Sequence, residues 1–220
     1  MAMGLALVSP GRHADTFVAP AIGGAAGTQL VAVCSRDHER ADAFAAKHGA
    51  QVAYTSLEAL LADARVEVVC IASPNFLHAP YTMLAAQAGK HVLVEKPMAV
   101  NVEEAVAMVR TCQAHGVKLG VGFHLRHHPG HQAARRLIGE GVLGTITLVQ
   151  AQWGLGLRGQ VEISPERLMD MRSGRHSTWW GTPERIGSAF AMLANGVHCV
   201  DLLRFLLGQH VVEVAALTDG

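Results

Sequence analysis

Five short runs in the first 120 or so residues of the chain are apolar almost without interruption: GLALV, QLVAVC, VEVVCIA, HVLVE and VKLGVGF. A strand with one wet face alternates apolar and polar side chains. Runs without alternation are strands covered on both faces, which is the pattern of a parallel sheet with helices packed above and below it. Helical stretches separate the runs, from about Arg12, around HERADAFAAKHG, from near Asn75 and from about Asn101. Asn101 with Glu104 three residues on has the pattern of a capping box, and Gly49, Gly89 and Gly116 stand where helices need a left-handed stop. Residues 1–122 are therefore expected to form a doubly wound α/β domain. Half of the 220 residues are hydrophobic, enough for a sizeable core.

The texture changes after Phe123. A basic, histidine-rich helix is expected to about Gly141, then a strand TITLVQAQW, a polar stretch from about Arg158 to Gly187, a helix around GVHCVDLLRFLL and a last strand VVEVAALT. Two strands and two helices do not close an ordinary sheet domain, because long strand edges are left unpaired. Residues 123–220 accordingly read as an incomplete α/β domain, and the chain as a fragment or a shortened relative of something longer.

Eighteen Lys and Arg cancel eighteen Asp and Glu, with no run of like charge, which argues against a nucleic-acid or membrane-surface partner and for a small molecule. The four cysteines, Cys34, Cys70, Cys112 and Cys199, are widely spaced and read as reduced thiols of a cytoplasmic protein. The opening MAMGLALVSPG resembles a first strand more than a leader, and no apolar run reaches the ~18 residues of a membrane span. HLRHHPGH pairs His124 with His128 and His127 with His131 at a spacing that can chelate zinc on a helix. Pro129 and Gly130 interrupt that helix, and neither an acidic residue nor a cysteine lies close by. A polar helix start is the preferred reading, with no metal site.

In a doubly wound sheet, ligands bind outside the carboxyl ends of the strands, where strand order reverses. At the first strand end, VSPGRHA sets Ser9, Gly11 and Ala14 where a dinucleotide fingerprint has its glycines, with Arg12 and His13 opening the helix; an ordinary strand-to-helix turn is the alternative. The second strand ends in a neutral Cys34 followed by Ser35 and Arg36, a donor and a cation suited to a 2′-phosphate, which favours NADP(H) over NAD(H). Against this, Arg36 reads as a solvated cation and Asp37 as a helix cap. ASPNFLHAP and EKP bring Pro74, Asn75, His78, Glu95 and Lys96 to the same rim, unless Glu95 and Lys96 merely solubilise a loop. Downstream, His198 and Asp201 lie three apart on one helix face, as a proton donor and its partner, or as a packed histidine and an Asp201–Arg204 pair.

Taken together, ASPNFLHAP, AGKHVLVEKPMAVNVEEA and GVHCVDLLRFLLG resemble the Gfo/Idh/MocA oxidoreductases in order and spacing, over nearly the whole chain. GFHLRHHPGHQAARRLIGEGVLG is also similar to the crossover helix of sugar-carbonyl reductases. The resemblance implies an NAD(P)-binding Rossmann domain followed by a substrate domain whose open sheet carries the oligomer interface, so a homo-oligomer is expected where that sheet is completed. It puts the catalytic positions on Lys96, His198 and Asp201, and cofactor contacts on Ser9, Gly11, Arg12, His13, Ser35, Arg36, Pro74, Asn75, His78, Glu95 and Lys96. Arg126 is set toward a sugar-like or polyol substrate, with hydride moving between nicotinamide and a carbinol carbon. Ser9 and Pro10 depart from the family's usual first glycine and its neighbour, and Ala194 from its usual aspartate. A dinucleotide-binding regulator without catalysis is the alternative.

Overall fold

The computed structural model describes residues 2–151 and 195–217. These fall into two compact units, one made by residues 2–122 and the other by residues 123–151 with 195–217. Ala194, the polar stretch from about Arg158 to Gly187 and the far ends of both expected C-terminal strands lie outside the described residues.

The first unit is a six-stranded parallel sheet with the order β3-β2-β1-β4-β5-β6. Its strands are β1 (Met3–Val8), β2 (Thr28–Cys34), β3 (Val52–Tyr54), β4 (Val68–Ile71), β5 (His91–Val94) and β6 (Leu119–Val121). The helices are α1 (Ala19–Gly24), entered through a π-helical turn at Ala14–Val18, α2 (His38–His48), α3 (Leu57–Ala62), α4 (His78–Gln87) and α5 (Val102–Ala114). The two-residue period of β1 separates two cores. Leu5 and Leu7 pack with Ile22, Phe44 and Ala45 of α1 and α2 on one face. Ala6 and Val8 pack with Leu60, Leu61, Ala79, Ala85 and Met108 of α3, α4 and α5 on the other. β1, β2 and β4 are apolar without alternation because each face has its own helical layer, whereas β5 buries only Val92 and Val94 and leaves Leu93 exposed.

Local signals set the element ends. The Asn101 side chain accepts from the Glu104 N–H at 2.8 Å, but the Glu104 carboxylate accepts from the N–H of Val100, one residue before the cap, at 3.5 Å, so only the Asn101 half of the capping box is made. Gly49, Gly89 and Gly116 end their helices at φ of 73°, 73° and 67°. The sequence reading passed over β3 and α3. Ser56 starts α3 by accepting from the Ala59 N–H at 3.2 Å.

The second unit holds a 3-10 turn at His124–His127, α6 (Pro129–Gly139) and α7 (Val197–Leu207). Pro129 does not interrupt a helix here; it is the first residue of α6, where its missing N–H costs nothing, and His128 caps it. Arg135 lies over the Phe205 ring at 4.4 Å and holds α6 to α7. Over their described residues the two expected C-terminal strands are not formed. Residues 145–151 and 211–217 carry no regular structure, and Leu148, Val212 and Leu217 are exposed. Alternating apolar residues make a strand only beside a partner strand, and the described residues of this unit contain none.

Candidate active site

Strand order reverses between β1 and β4, and the loops at this end of the sheet carry most of the expected residues. Leaving β1, Ser9 adopts a left-handed φ of 66°, donates its N–H to the Cys34 carbonyl at 2.9 Å and accepts from the Gly11 N–H at 2.8 Å. A side chain at Gly11 would meet nothing closer than the Ser9 carbonyl at 4.0 Å, so the turn is open above the helix that begins at Arg12. An open left-handed turn feeding a helix N-terminus is a cradle that suits a pyrophosphate, even with serine in the first position.

At the end of β2, Ser35 donates its N–H to the Tyr54 carbonyl at 3.0 Å and its Oγ accepts from the Asp37 N–H at 3.3 Å. Asp37 caps α2 through the Arg40 N–H at 3.0 Å, as one sequence alternative had it, and Arg36 is exposed beside it.

After β5, Glu95 extends the sheet by donating its N–H to the Ile71 carbonyl at 2.9 Å. Its Oε1 lies 3.1 Å from His13 Nε2, and its Oε2 accepts from the Lys96 N–H at 3.2 Å. Gly122 makes room for this carboxylate, since a Cβ there would stand 3.1 Å from Oε1. Lys96 precedes Pro97 through a cis peptide bond. The His13–Glu95 link spans 82 positions and left no trace in the sequence reading.

His78 departs from expectation. Its side chain is not presented as a cofactor contact: it is 1% exposed, with Nδ1 2.7 Å from the Pro97 carbonyl and Nε2 2.9 Å from the Ser73 carbonyl. Burial holds its pKa below the ordinary value against the pull of both carbonyls. Asn75 is also buried, in a short 3-10 turn that follows Pro74.

In the second unit, His198 is buried on α7, edge-on to Phe123 at 6.3 Å and to His124 at 5.1 Å. Asp201, also buried, is gripped by Arg126, whose Nε donates to both carboxylate oxygens at 3.0 and 2.8 Å while Nη2 donates to Oδ1. That pairing raises the guanidinium pKa further. Arg126 was expected to face substrate, and the structure gives its fork to Asp201; the Asp201–Arg204 alternative is replaced by the same contact. Among the described residues no group of three or more His, Cys, Asp and Glu is arranged to hold a metal ion, and no helix is long and apolar enough to cross a membrane.

Residues 4–123 match the oxidoreductase family with an NAD-binding Rossmann fold, and residues 131–219 match the GFO/IDH/MocA C-terminal domain. The chain belongs to the Gfo/Idh/MocA oxidoreductase family. Among Gfo/Idh/MocA relatives it is 34% identical to a 1,5-anhydro-D-fructose reductase of Ensifer adhaerens, over 89% of this chain and 54% of that protein. The WlbA dehydrogenase of Bordetella pertussis, solved with NADH and UDP-GlcNAcA, superposes with a TM-score of 0.75 at 28% identity, covering 94% of this chain and 55% of that one. The 3-ketoreductase KijD10 of Actinomadura kijaniata, solved with NADP, gives a TM-score of 0.61 at 29% identity, over 66% and 46%. The chain spans about half the length of the curated Gfo/Idh/MocA relatives it matches.

Proposed function

We propose that this chain is the dinucleotide-binding part, with the start of the substrate part, of an NADP(H)-preferring oxidoreductase acting on a sugar-like or polyol carbonyl or alcohol. The observation that carries the reading is the end of the sheet at which the open Ser9–Gly11 turn, Glu95 and Lys96 come together where strand order reverses. Ser9, Gly11, Arg12 and His13 would hold the pyrophosphate end of the dinucleotide, and Pro74, Asn75, Glu95 and Lys96 the nicotinamide end. The bound nicotinamide supplies hydride chemistry.

The chain's own residues set the polarity of the reaction. The Lys96 ammonium stabilises negative charge on the reacting oxygen, an interaction worth far more at a dry site than in water. Lys96 or His198 exchanges the proton with that oxygen. Arg126 holds the Asp201 carboxylate on the helix that carries His198, so the pair is a fixed feature of α7 and not a mobile charge. Preference for NADP(H) is supported at β2: the Asp37 carboxylate is committed to the α2 cap, and Ser35 and exposed Arg36 are left beside the ribose position.

NADPH and NADH titrations followed by nicotinamide fluorescence, then a panel of sugar carbonyls, test the reading. Tighter NADPH binding is expected, weakened by Arg36→Ala while NADH binding is unchanged. Lys96→Ala should abolish hydride transfer and keep NADPH affinity; unchanged turnover would refute its role. Binding without oxidation by any carbonyl would favour a dinucleotide-sensing regulator.

A further inference from the structure

We infer that His78 is a positioning residue for Lys96, acting through the backbone of the loop after β5 and not through contact with a cofactor. The inference rests on the proposed role of Lys96. Lys96 sits between two anchored residues. Before it, the Glu95 N–H is bound to the Ile71 carbonyl at 2.9 Å, which ties the loop to the end of β4. After it, the Pro97 carbonyl lies 2.7 Å from His78 Nδ1. Proline has no N–H, so this carbonyl is the only backbone polar group through which residue 97 can be held.

The ring belongs to α4, and its other nitrogen lies 2.9 Å from the Ser73 carbonyl in the loop after β4. One imidazole therefore lies packed between the loops that follow the fourth and fifth strands. With the side chain 1% exposed, nothing in solution competes for either contact. A neutral imidazole carries one N–H, and burial favours the neutral ring. The shorter contact assigns that hydrogen to Nδ1, which donates to Pro97. Nε2 then has no proton to donate and meets the Ser73 carbonyl with its lone pair, so the hydrogen bond of the native ring is the one to Pro97.

Two amide variants separate the ties. In His78→Asn the side-chain NH2 takes the place of Nδ1 and can still donate to Pro97; in His78→Gln it takes the place of Nε2 and can donate only to Ser73. Both variants are first checked for a cooperative melt and for NADPH affinity, which is expected to match the parent. His78→Asn should keep kcat within about threefold, and His78→Gln should lose about tenfold or more with KM little changed, as a catalytic group displaced by ~1 Å can cost up to ~10²-fold. A parallel readout needs no turnover: reductively ¹³C-methylated protein, with the Lys96 dimethylamine signal assigned by its absence in Lys96→Arg. That signal should keep the parent's chemical shift in His78→Asn and move in His78→Gln.

Equal kcat losses in the two variants with an unmoved Lys96 signal would overturn the inference, leaving His78 as packing. A loss that falls on NADPH affinity in both would overturn it in favour of a cofactor contact. If no carbonyl is turned over by any of the proteins, the proposed function fails by itself, and the Lys96 signal still decides whether His78 positions that side chain.

Discussion

Replacing Ser9 by glycine asks what the turn after β1 costs the fold. Ser9 is the only non-glycine residue with a positive φ among the described residues, at 66°. In that region a Cβ crowds the following carbonyl and costs ~1–2 kcal/mol. Both hydrogen bonds of the turn, Ser9 N–H to Cys34 and Gly11 N–H to Ser9, are made by backbone and survive the substitution. The Ser9 hydroxyl has no hydrogen-bond partner among the described residues, so nothing is lost with it. Against the relief stands the extra freedom that glycine gives the unfolded chain, ~0.4–1 kcal/mol. The net expectation is a stabilisation of ~0.5–1 kcal/mol. With m of ~1–3 kcal/mol/M in urea, the midpoint should rise by roughly 0.2–1 M. Ser9→Ala keeps the crowding and should leave the midpoint unmoved. A glycine variant less stable than the parent, or an alanine variant that gains as much, would refute the account. Because the left-handed turn is already formed, NADPH affinity should stay within about twofold; a tenfold gain, ~1.4 kcal/mol, would mean that the turn is rebuilt on binding.

Three further perturbations test other parts of the fold. Gly4→Ala places a Cβ 1.9 Å from the Arg65 carbonyl, a backbone atom that cannot swing away, so urea unfolding should show a loss at or beyond the upper end of the ~1–3 kcal/mol typical of overpacking; a midpoint equal to the parent's would contradict the packing of β1. Asp63 is held down to about 2 from its ordinary 3.8, chiefly by the Arg65 side chain and with help from the Arg65 N–H and the Tyr54 hydroxyl. A lowered carboxylate stabilises fully above its unfolded value and loses that contribution as pH falls through the folded one. Urea midpoints of Asp63→Asn should therefore be lower than the parent's at neutral pH and converge with them between pH ~4 and ~2; parallel profiles would be the contrary result. Burial first, and the nearby charges of Glu58 and Glu95 second, push the Cys34 thiol up to about 11 and the Cys70 thiol up to about 12, and burial raises Cys112 as well. A chromogenic disulfide at neutral pH should modify half-buried Cys199 well before these three, which should react only in denaturant; prompt modification of Cys34 would contradict its burial.

The sequence exposes what periodicity encodes and conceals what depends on a distant partner. β1, β2 and β4 are visible because both faces of each are dry, β5 because its run is apolar even though Leu93 is exposed, and Glu95 and Lys96 stand out because charge ends an apolar run. β3 is three half-buried residues at the sheet edge, too few for a period, and α3 has six residues marked only by the Ser56 cap. The C-terminal runs mislead for the opposite reason: alternation in TITLVQ and VVEVAAL says which side chains would share a face, but not whether a neighbouring strand exists to pair with them. His78 follows a turn and opens a helix, so it reads as a rim residue. Its partners are carbonyls, and every residue has a carbonyl, so no side-chain identity marks the contact. Arg126 and Asp201 are 75 positions apart with Arg204 offering a local alternative, and only packing chooses between the two cations.

The ties at the end of the sheet are unequally distributed, and that has a functional corollary. Three of them meet at the segment 95–97: the Ile71 carbonyl from β4, the His13 ring from the start of the first helix and the His78 ring from α4. Each comes from a different element, so displacing the Lys96 backbone means breaking a contact with at least one of them. Arg36 stands exposed at the second strand end, just outside the Ser35–Asp37 turn that the α2 cap holds in place. The proposed chemistry thus rests on an over-determined loop, while the proposed cofactor preference rests on one solvent-facing side chain. Substitutions at position 36 should change which dinucleotide binds without changing turnover once it is bound. Residues 13, 78 and 95 all tie down the Lys96 segment, besides the cofactor contacts proposed for His13 and Glu95, so the effects of substituting them on turnover should not add independently, and double-mutant cycles among these three should show coupling where cycles with 36 show none.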